Sequence, residues 1–166
     1  MDCNCSKYQP IELSRKSVNK RIRQTKEIML QLDVLAEDKG EDSYLKLLRC
    51  RVCAQFWQNG REWNFAYKEY LFQVPETEVA DWLEEPYVQP AALMLYSAMM
   101  HNYFEQNKFE EGSSKCRKES CESKAIKSGA FCLQHHIESL QDVRLLPKLP
   151  LGKIFPPYSL KQNESK

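Results

Sequence analysis

"YLKLLRCRVCAQFWQNGREWNFAYKEYLFQV", residues 44–74, is the stretch whose reading decides the fold. Tyr44 to Arg49 predicts a strand that runs into Cys50. Ala54 to Gln58, then Asn59-Gly60, then the run from Arg61 to Val74 read as a β-hairpin, because Asn-Gly accepts positive φ at both central turn positions. Trp57, Trp63, Phe65, Tyr67, Tyr70 and Phe72 load these strands with aromatic rings. Such rings favour cross-strand pairs and core packing over base stacking.

Upstream, Ser14 is placed to cap a helix. Val18, Ile22, Thr25, Met29, Leu32 and Ala36 follow at spacings of three and four. One helix is therefore predicted from Ser14 to about Asp38, stopped by Lys39-Gly40. Residues 1–13 form an irregular lead-in. Downstream, Glu76 to Glu85 predicts a short acidic helix. Pro90 then opens a second helix to about Gln106, whose apolar residues, among them Leu93, Leu95, Met99 and Phe104, surround the axis and predict burial on several sides. Residues 105–115 read as a polar connector. The prolines at 147, 150, 156 and 157 predict an extended tail, with Leu149, Leu151, Ile154 and Phe155 packed on the main body. The last six residues are predicted to be disordered.

Seven cysteines fall in three groups: Cys3 and Cys5, Cys50 and Cys53, and Cys116, Cys121 and Cys132. The count is odd and the N-terminus has no apolar signal segment, so a disulfide framework is disfavoured and metal ligation favoured. Cys116-x4-Cys121-x10-Cys132-x2-His135 offers two close-spaced ligand pairs, as zinc requires for a tetrahedron. Cys132 and His135 at i, i+3 share one face of a helix start. His136 competes for the fourth place but projects about 100° away on a helix. Cys50-x2-Cys53 supplies only two thiolates, and Cys3-x-Cys5 completes a second, four-cysteine set. Tetrahedral sulfur suits iron as well as zinc there. A redox role would place Cys50 and Cys53 at a strand-to-helix turn, whereas here a hairpin follows. Both sets fill all four positions from protein, which predicts two structural Zn2+ sites and no open catalytic position. No phosphate loop or nucleophile elbow is present.

Residues 116–135, with Gly129 permitting a bend before Cys132, resemble small zinc-knuckle modules of phage and bacterial proteins, some of them attached to endonucleases. The resemblance implies zinc ligation; no His-Asn-His nuclease signature accompanies it. Cys50 to Ala54 resembles the knuckle of zinc ribbons and rubredoxins, in which backbone N–H groups point at the sulfurs. Ala54 stands where that knuckle usually carries glycine. Residues 45–90 resemble small bacterial immunity-type proteins that pair a Cys-x-x-Cys knuckle with an aromatic hairpin. That resemblance implies a bacterial binding protein.

The expected architecture is α+β: an aromatic β-hairpin or small antiparallel sheet carrying the Cys-x-x-Cys knuckle, packed by α-helices, plus a C-terminal zinc knuckle. Its parts are a helix–knuckle–hairpin–helix core over residues 1–107, the zinc-knuckle module over 108–142 and the Pro-rich tail over 143–166. A formal net charge of +1 excludes a polyelectrolyte binder. No apolar run reaches membrane-spanning length, so the expected location is cytoplasmic. Closed metal sites, together with separate basic and acidic helices, predict a non-enzymatic adaptor that engages another protein. The alternative is nucleic-acid binding through Arg15, Lys16, Arg21 and Arg23 on the first helix and Lys115, Arg117, Lys118, Lys124 and Lys127 around the C-terminal knuckle.

Overall fold

The computed structural model describes residues 3–10, 14–40 and 44–154. Phe155 and the chain end, for which packing and disorder were expected, lie outside the described residues. The chain divides into two compact units, Met1–Met94 with Pro150–Lys166, and Leu95–Leu149.

In the first unit, β1 (Leu32–Asp38), β2 (Leu45–Cys50), β3 (Phe56–Glu62) and β4 (Lys68–Val74) form an antiparallel sheet in chain order. Successive residues Leu47 and Leu48, and likewise Leu71 and Phe72, are all buried. Side chains alternate across a strand, so this sheet is covered on both faces. Leu47, Phe56, Phe72 and Val74 pack with Trp82 and Tyr87, whereas Leu48, Cys50, Trp57 and Leu71 pack with Cys5, Ile28 and Leu32. Ile28 belongs to α1 (Arg15–Met29) and Trp82 to α2 (Val79–Glu84). α1 begins as predicted at Ser14. The Ser14 hydroxyl accepts from the Ser17 N–H at 3.2 Å, and the Ser17 hydroxyl accepts from the Ser14 N–H at 3.3 Å. Two free N–H groups of the first turn are thereby satisfied.

Two local readings change. The predicted helix ends at Met29, not Asp38, because residues 32–38 become the edge strand paired with β2, with a register shift between Val34 and Ala36. Tertiary pairing overrides a helical spacing that the segment also satisfies. The hairpin exists, but Asn59-Gly60 lies inside β3, paired with Leu71 and Tyr70. The reversal comes at residues 63–67, where Ala66 and Tyr67 take φ of 58° and 53°. Gly60 serves close approach instead: a Cβ there would collide with the carboxamide of Gln89.

Residues 87–91 run along β3 in step with it. The Gln58 side chain donates to Tyr87 O at 2.7 Å and accepts from Tyr87 N at 3.0 Å and Trp82 Nε1 at 2.8 Å. Gly60 faces Gln89, and Glu62 Oε2 accepts from Ala91 N at 3.1 Å. Ala91 sits in the first turn of α3 (Pro90–Gln106). Only Pro90, Ala91 and Leu93 of that helix are buried, and Leu95, Met99 and Phe104 stay 41–43% exposed, against the expected burial on several sides. Its apolar residues serve a core contact at one end and an aromatic cluster at the other.

The second unit contains β5 (Glu111–Lys115), β6 (Lys124–Ile126) and α4 (Leu133–Asp142). The predicted connector thus includes a strand, paired with β6. Tyr103, Phe104 and Phe109 meet with ring centroids 5.8–6.1 Å apart. Leu149 and Leu151 remain exposed, contrary to the expected packing of both, while Ile154 packs partly on the first core.

Candidate metal centres

Cys3, Cys5, Cys50 and Cys53 lie together, with all four sulfurs within 4.8 Å of one another. Such a group can hold a metal ion. Cys50 ends β2 and Cys53 lies in the turn that follows. Cys50 N donates to Gln55 O at 2.9 Å and Ala54 N to Cys50 O at 3.1 Å, which closes a tight loop. Ala54 takes φ of 61°, the left-handed region that glycine enters without strain. Cys5 opens a single 3-10 turn, Cys5–Lys7. This arm is tied to the sheet: Gln73 Nε2 donates to Cys5 O at 2.9 Å and Gln73 N to Pro10 O at 2.8 Å. Tyr8 meets Trp57 edge-on with centroids 6.2 Å apart.

Burial pushes the Cys50 thiol up, but the backbone N–H groups of Cys53 and Val52 and the thiols of Cys5 and Cys53 outweigh it and bring Cys50 to about 7. Cys5 moves the other way. Burial, then Cys50 and Cys53, push it well above the ordinary thiol range, opposed by the indole N–H of Trp57. That N–H is fully buried and makes no hydrogen bond of normal geometry. A buried donor beside a thiol is costly when idle and favourable when the sulfur is a thiolate. The aimed backbone N–H groups and the idle indole N–H therefore fit a centre whose cysteines are deprotonated by a cation.

The second group is Cys116, Cys121, Cys132 and His135, again with ligand atoms within 4.8 Å. His135 Nδ1 lies 3.3 Å from both Cys116 Sγ and Cys132 Sγ, and Cys121 Sγ lies 4.0 Å from Cys132 Sγ. Zinc bond lengths of about 2.0–2.3 Å give tetrahedral edges of roughly 3.5–3.8 Å, close to these spacings. Cys116 follows β5, and Ser120, with φ of 62°, turns the chain into Cys121. Cys132 caps α4, which places His135 in its first turn. Ser128 takes the left-handed φ of 62° in the turn before Cys132, and the neighbouring Gly129 leaves room for Ile126.

Burial raises the Cys116 thiol, but backbone N–H groups of Cys132 and Lys118, then His135 and Cys121, bring it to about 6. The backbone N–H of His135 lowers Cys132, yet burial and the thiols of Cys116 and Cys121 leave it above the ordinary range. His136 points elsewhere: its Nε2 lies 3.0 Å from the Tyr103 hydroxyl and its ring lies 5.7 Å from Phe109. The two adjacent histidines thus have separate surroundings, and His135 is the one beside the sulfurs.

The cations weighed for nucleic-acid contact are less available than the sequence implied. Arg21 is only 1% exposed; its guanidinium donates to Leu71 O at 3.1 Å and Gln9 O at 2.5 Å and lies over Tyr8 and Trp57. It is a core residue, because the apolar half of α1 turns it inward between two rings. Arg15 lies over Phe65. Lys115, Lys127 and Lys124 pair with Glu122, Glu110 and Glu111 at 2.7, 2.9 and 3.9 Å. Lys16, Arg23, Arg117 and Lys118 form no ion pair among the described residues. No helix is long and apolar enough to cross a membrane among the described residues. Comparison with protein-family models, curated proteins and solved structures finds no match, so the two ligand groups stand on their own geometry.

Proposed function

We propose that this chain is a non-catalytic binding protein, held in shape by two structural zinc ions, that engages another protein. The observation that carries the reading is the closure of both ligand groups. Each brings four protein donors together, which fills zinc's tetrahedron and leaves no position for water or substrate. The histidine in the second group favours zinc over an iron–sulfur site. The sequence resemblance to bacterial immunity-type proteins supplies the setting, an immunity or regulatory partner. Nucleic-acid binding is the second reading, weakened by the burial of Arg21 and the carboxylate partners of Lys115, Lys124 and Lys127.

Elemental analysis of the purified chain with a native mass tests the metal half of the proposal. Two zinc ions per chain are expected, and a natively folded, metal-free chain would refute it. For the binding half, the zinc-loaded chain immobilised in lysate from its native host should retain a discrete protein. Retention of nucleic acid alone, with a steep salt dependence, would move the reading to its alternative.

A further inference from the structure

The first unit carries a groove that neither metal centre uses. It has a volume of about 350 Å³, and its floor is apolar, formed by Leu45, Tyr87, Val88, Ala92 and Pro150. Its rim is acidic, with Asp38, Glu84 and Glu85. A second hollow of about 540 Å³ adjoins it, sharing Glu84, Glu85, Leu151 and Gly152 and adding Asp81. None of these four carboxylates forms an ion pair among the described residues. The nearby cation, Lys153, donates instead to the backbone oxygen of Asp81 at 3.0 Å.

One wall is a strap, residues 150–153, bridged to Tyr87 in parallel. Val88 N donates to Lys153 O at 3.1 Å and Lys153 N to Pro86 O at 3.0 Å. Gly152 adopts φ of 126°, and a Cβ there would lie 2.5 Å from Pro86 O. This backbone holds Leu151 outward at 98% exposure, although the strap itself is pinned. A large aliphatic side chain held fully in water by a fixed, glycine-dependent backbone is costly unless something covers it.

We propose that this groove binds an extended peptide segment of the partner in which Lys or Arg residues flank an aliphatic side chain. The aliphatic group enters the floor against Leu45 and Val88, the segment covers Leu151 at the groove's edge, and the cations meet Asp38, Glu84 and Glu85. Charge complementarity selects this occupant: residues 75–89 hold five carboxylates and no cation. The desolvated floor strengthens ion pairs formed at its edge. The inference rests on the protein-binding reading above and adds the surface and the partner's chemistry.

The test uses the full zinc-loaded chain and a fluorescein-labelled peptide, acetyl-Gly-Lys-Arg-Leu-Lys-Gly-amide, read by fluorescence anisotropy at low salt. Binding should weaken about tenfold in the double variant Glu84→Gln/Glu85→Gln and about threefold or more in Leu151→Ser. It should also weaken as salt is raised. A peptide with glutamate in place of the cations should not bind. Unaltered circular dichroism and zinc content in the variants show that folding is intact. Equal binding by wild type and double variant, or no binding at millimolar peptide, overturns the proposal. A native mass showing a dimer that Leu151→Ser dissociates would assign the groove to a second copy and overturn it too. If the double variant retains the same host protein as wild type, the groove proposal falls while the protein-binding reading stands; if wild type retains none, that reading falls.

Discussion

Glu62 is the most consequential ionisable group outside the metal centres. It lies in β3 with no exposed surface, one carboxyl oxygen on Ala91 N at the start of α3 and the other, Oε1, without a partner. Burial raises its carboxyl from 4.5 to about 7, only partly offset by that N–H. Lys68, opposite it on β4, forms no ion pair with it among the described residues. A raised carboxyl means that the folded chain holds a proton the unfolded chain has released between these two values. Stability from this group is therefore present at low pH and lost as pH rises through about 7. At about 1.36 kcal/mol per pH unit, the loss between roughly pH 5.5 and pH 8 is about 2 kcal/mol. Glu62→Gln keeps an oxygen for Ala91 N and cannot ionise. Its NH2 group adds a fixed cost of about 1–3 kcal/mol if it finds no acceptor, so the quantity to read is the pH dependence of the difference. Urea unfolding of zinc-loaded wild type and variant across this range cancels the titration of the metal ligands, which both share. The variant should gain about 2 kcal/mol relative to wild type on going from acid to base. A constant difference, or one that shrinks toward high pH, would refute the reasoning.

Ala54→Gly should stabilise the first unit by about 0.5–1 kcal/mol, the strain of a left-handed alanine less the extra unfolded-state entropy of glycine, measured by urea unfolding. Ala66→Asn with Tyr67→Gly should likewise raise the midpoint, because these two residues carry the positive φ of the hairpin reversal. His135→Ala should lower bound zinc from two per chain toward one under mild competition by a chelator, whereas His136→Ala should leave two; zinc content reads both. Chelation should abolish amide protection across residues 95–149 while protection in β2–β4 survives, as hydrogen exchange would show.

The sequence foretold which cysteines and which histidine gather better than it foretold strand topology. The two candidate ligand groups were legible because metal ligation asks for close-spaced pairs of thiol and imidazole groups, and the structure brings the same eight residues together in two sets of four. The Ser14 cap, α2 and α3 were legible because each ends on a residue with a local reason to stop or start a helix. Residues 32–38 were not, because their helical spacing is real and loses only to pairing with a strand thirteen residues on. Asn59-Gly60 misled for a similar reason: the glycine is there to admit Gln89, a contact made across 29 positions. Arg21 looked like one of six cations on α1, and only the tertiary placement of Tyr8 and Trp57 separates it from Lys20 or Arg23. His135 and His136 are adjacent in sequence; the first turn of α4 sends one toward sulfur and the other toward Tyr103.

The two ligand groups bear unequally on the fold. The first unit buries apolar side chains from β2, β3, β4, α1 and α2, and its cysteines fasten an arm onto a sheet already covered on both faces. The second unit buries only Cys116, Ala125, Cys132 and Leu146 among its described apolar residues, and two of these belong to the candidate ligand group. Ala125 and Leu146 together contribute no more than a few kcal/mol of burial, too little against the ordering entropy of a segment this long. Structural zinc binding, on the order of 10–16 kcal/mol, is of the size required. A metal-loss mutation in the second centre should therefore cost a whole unit, whereas one in the first should cost an arm. The groove beside Leu151 lies in the unit with its own core, so a partner bound there would dock on a surface that depends on neither candidate metal centre.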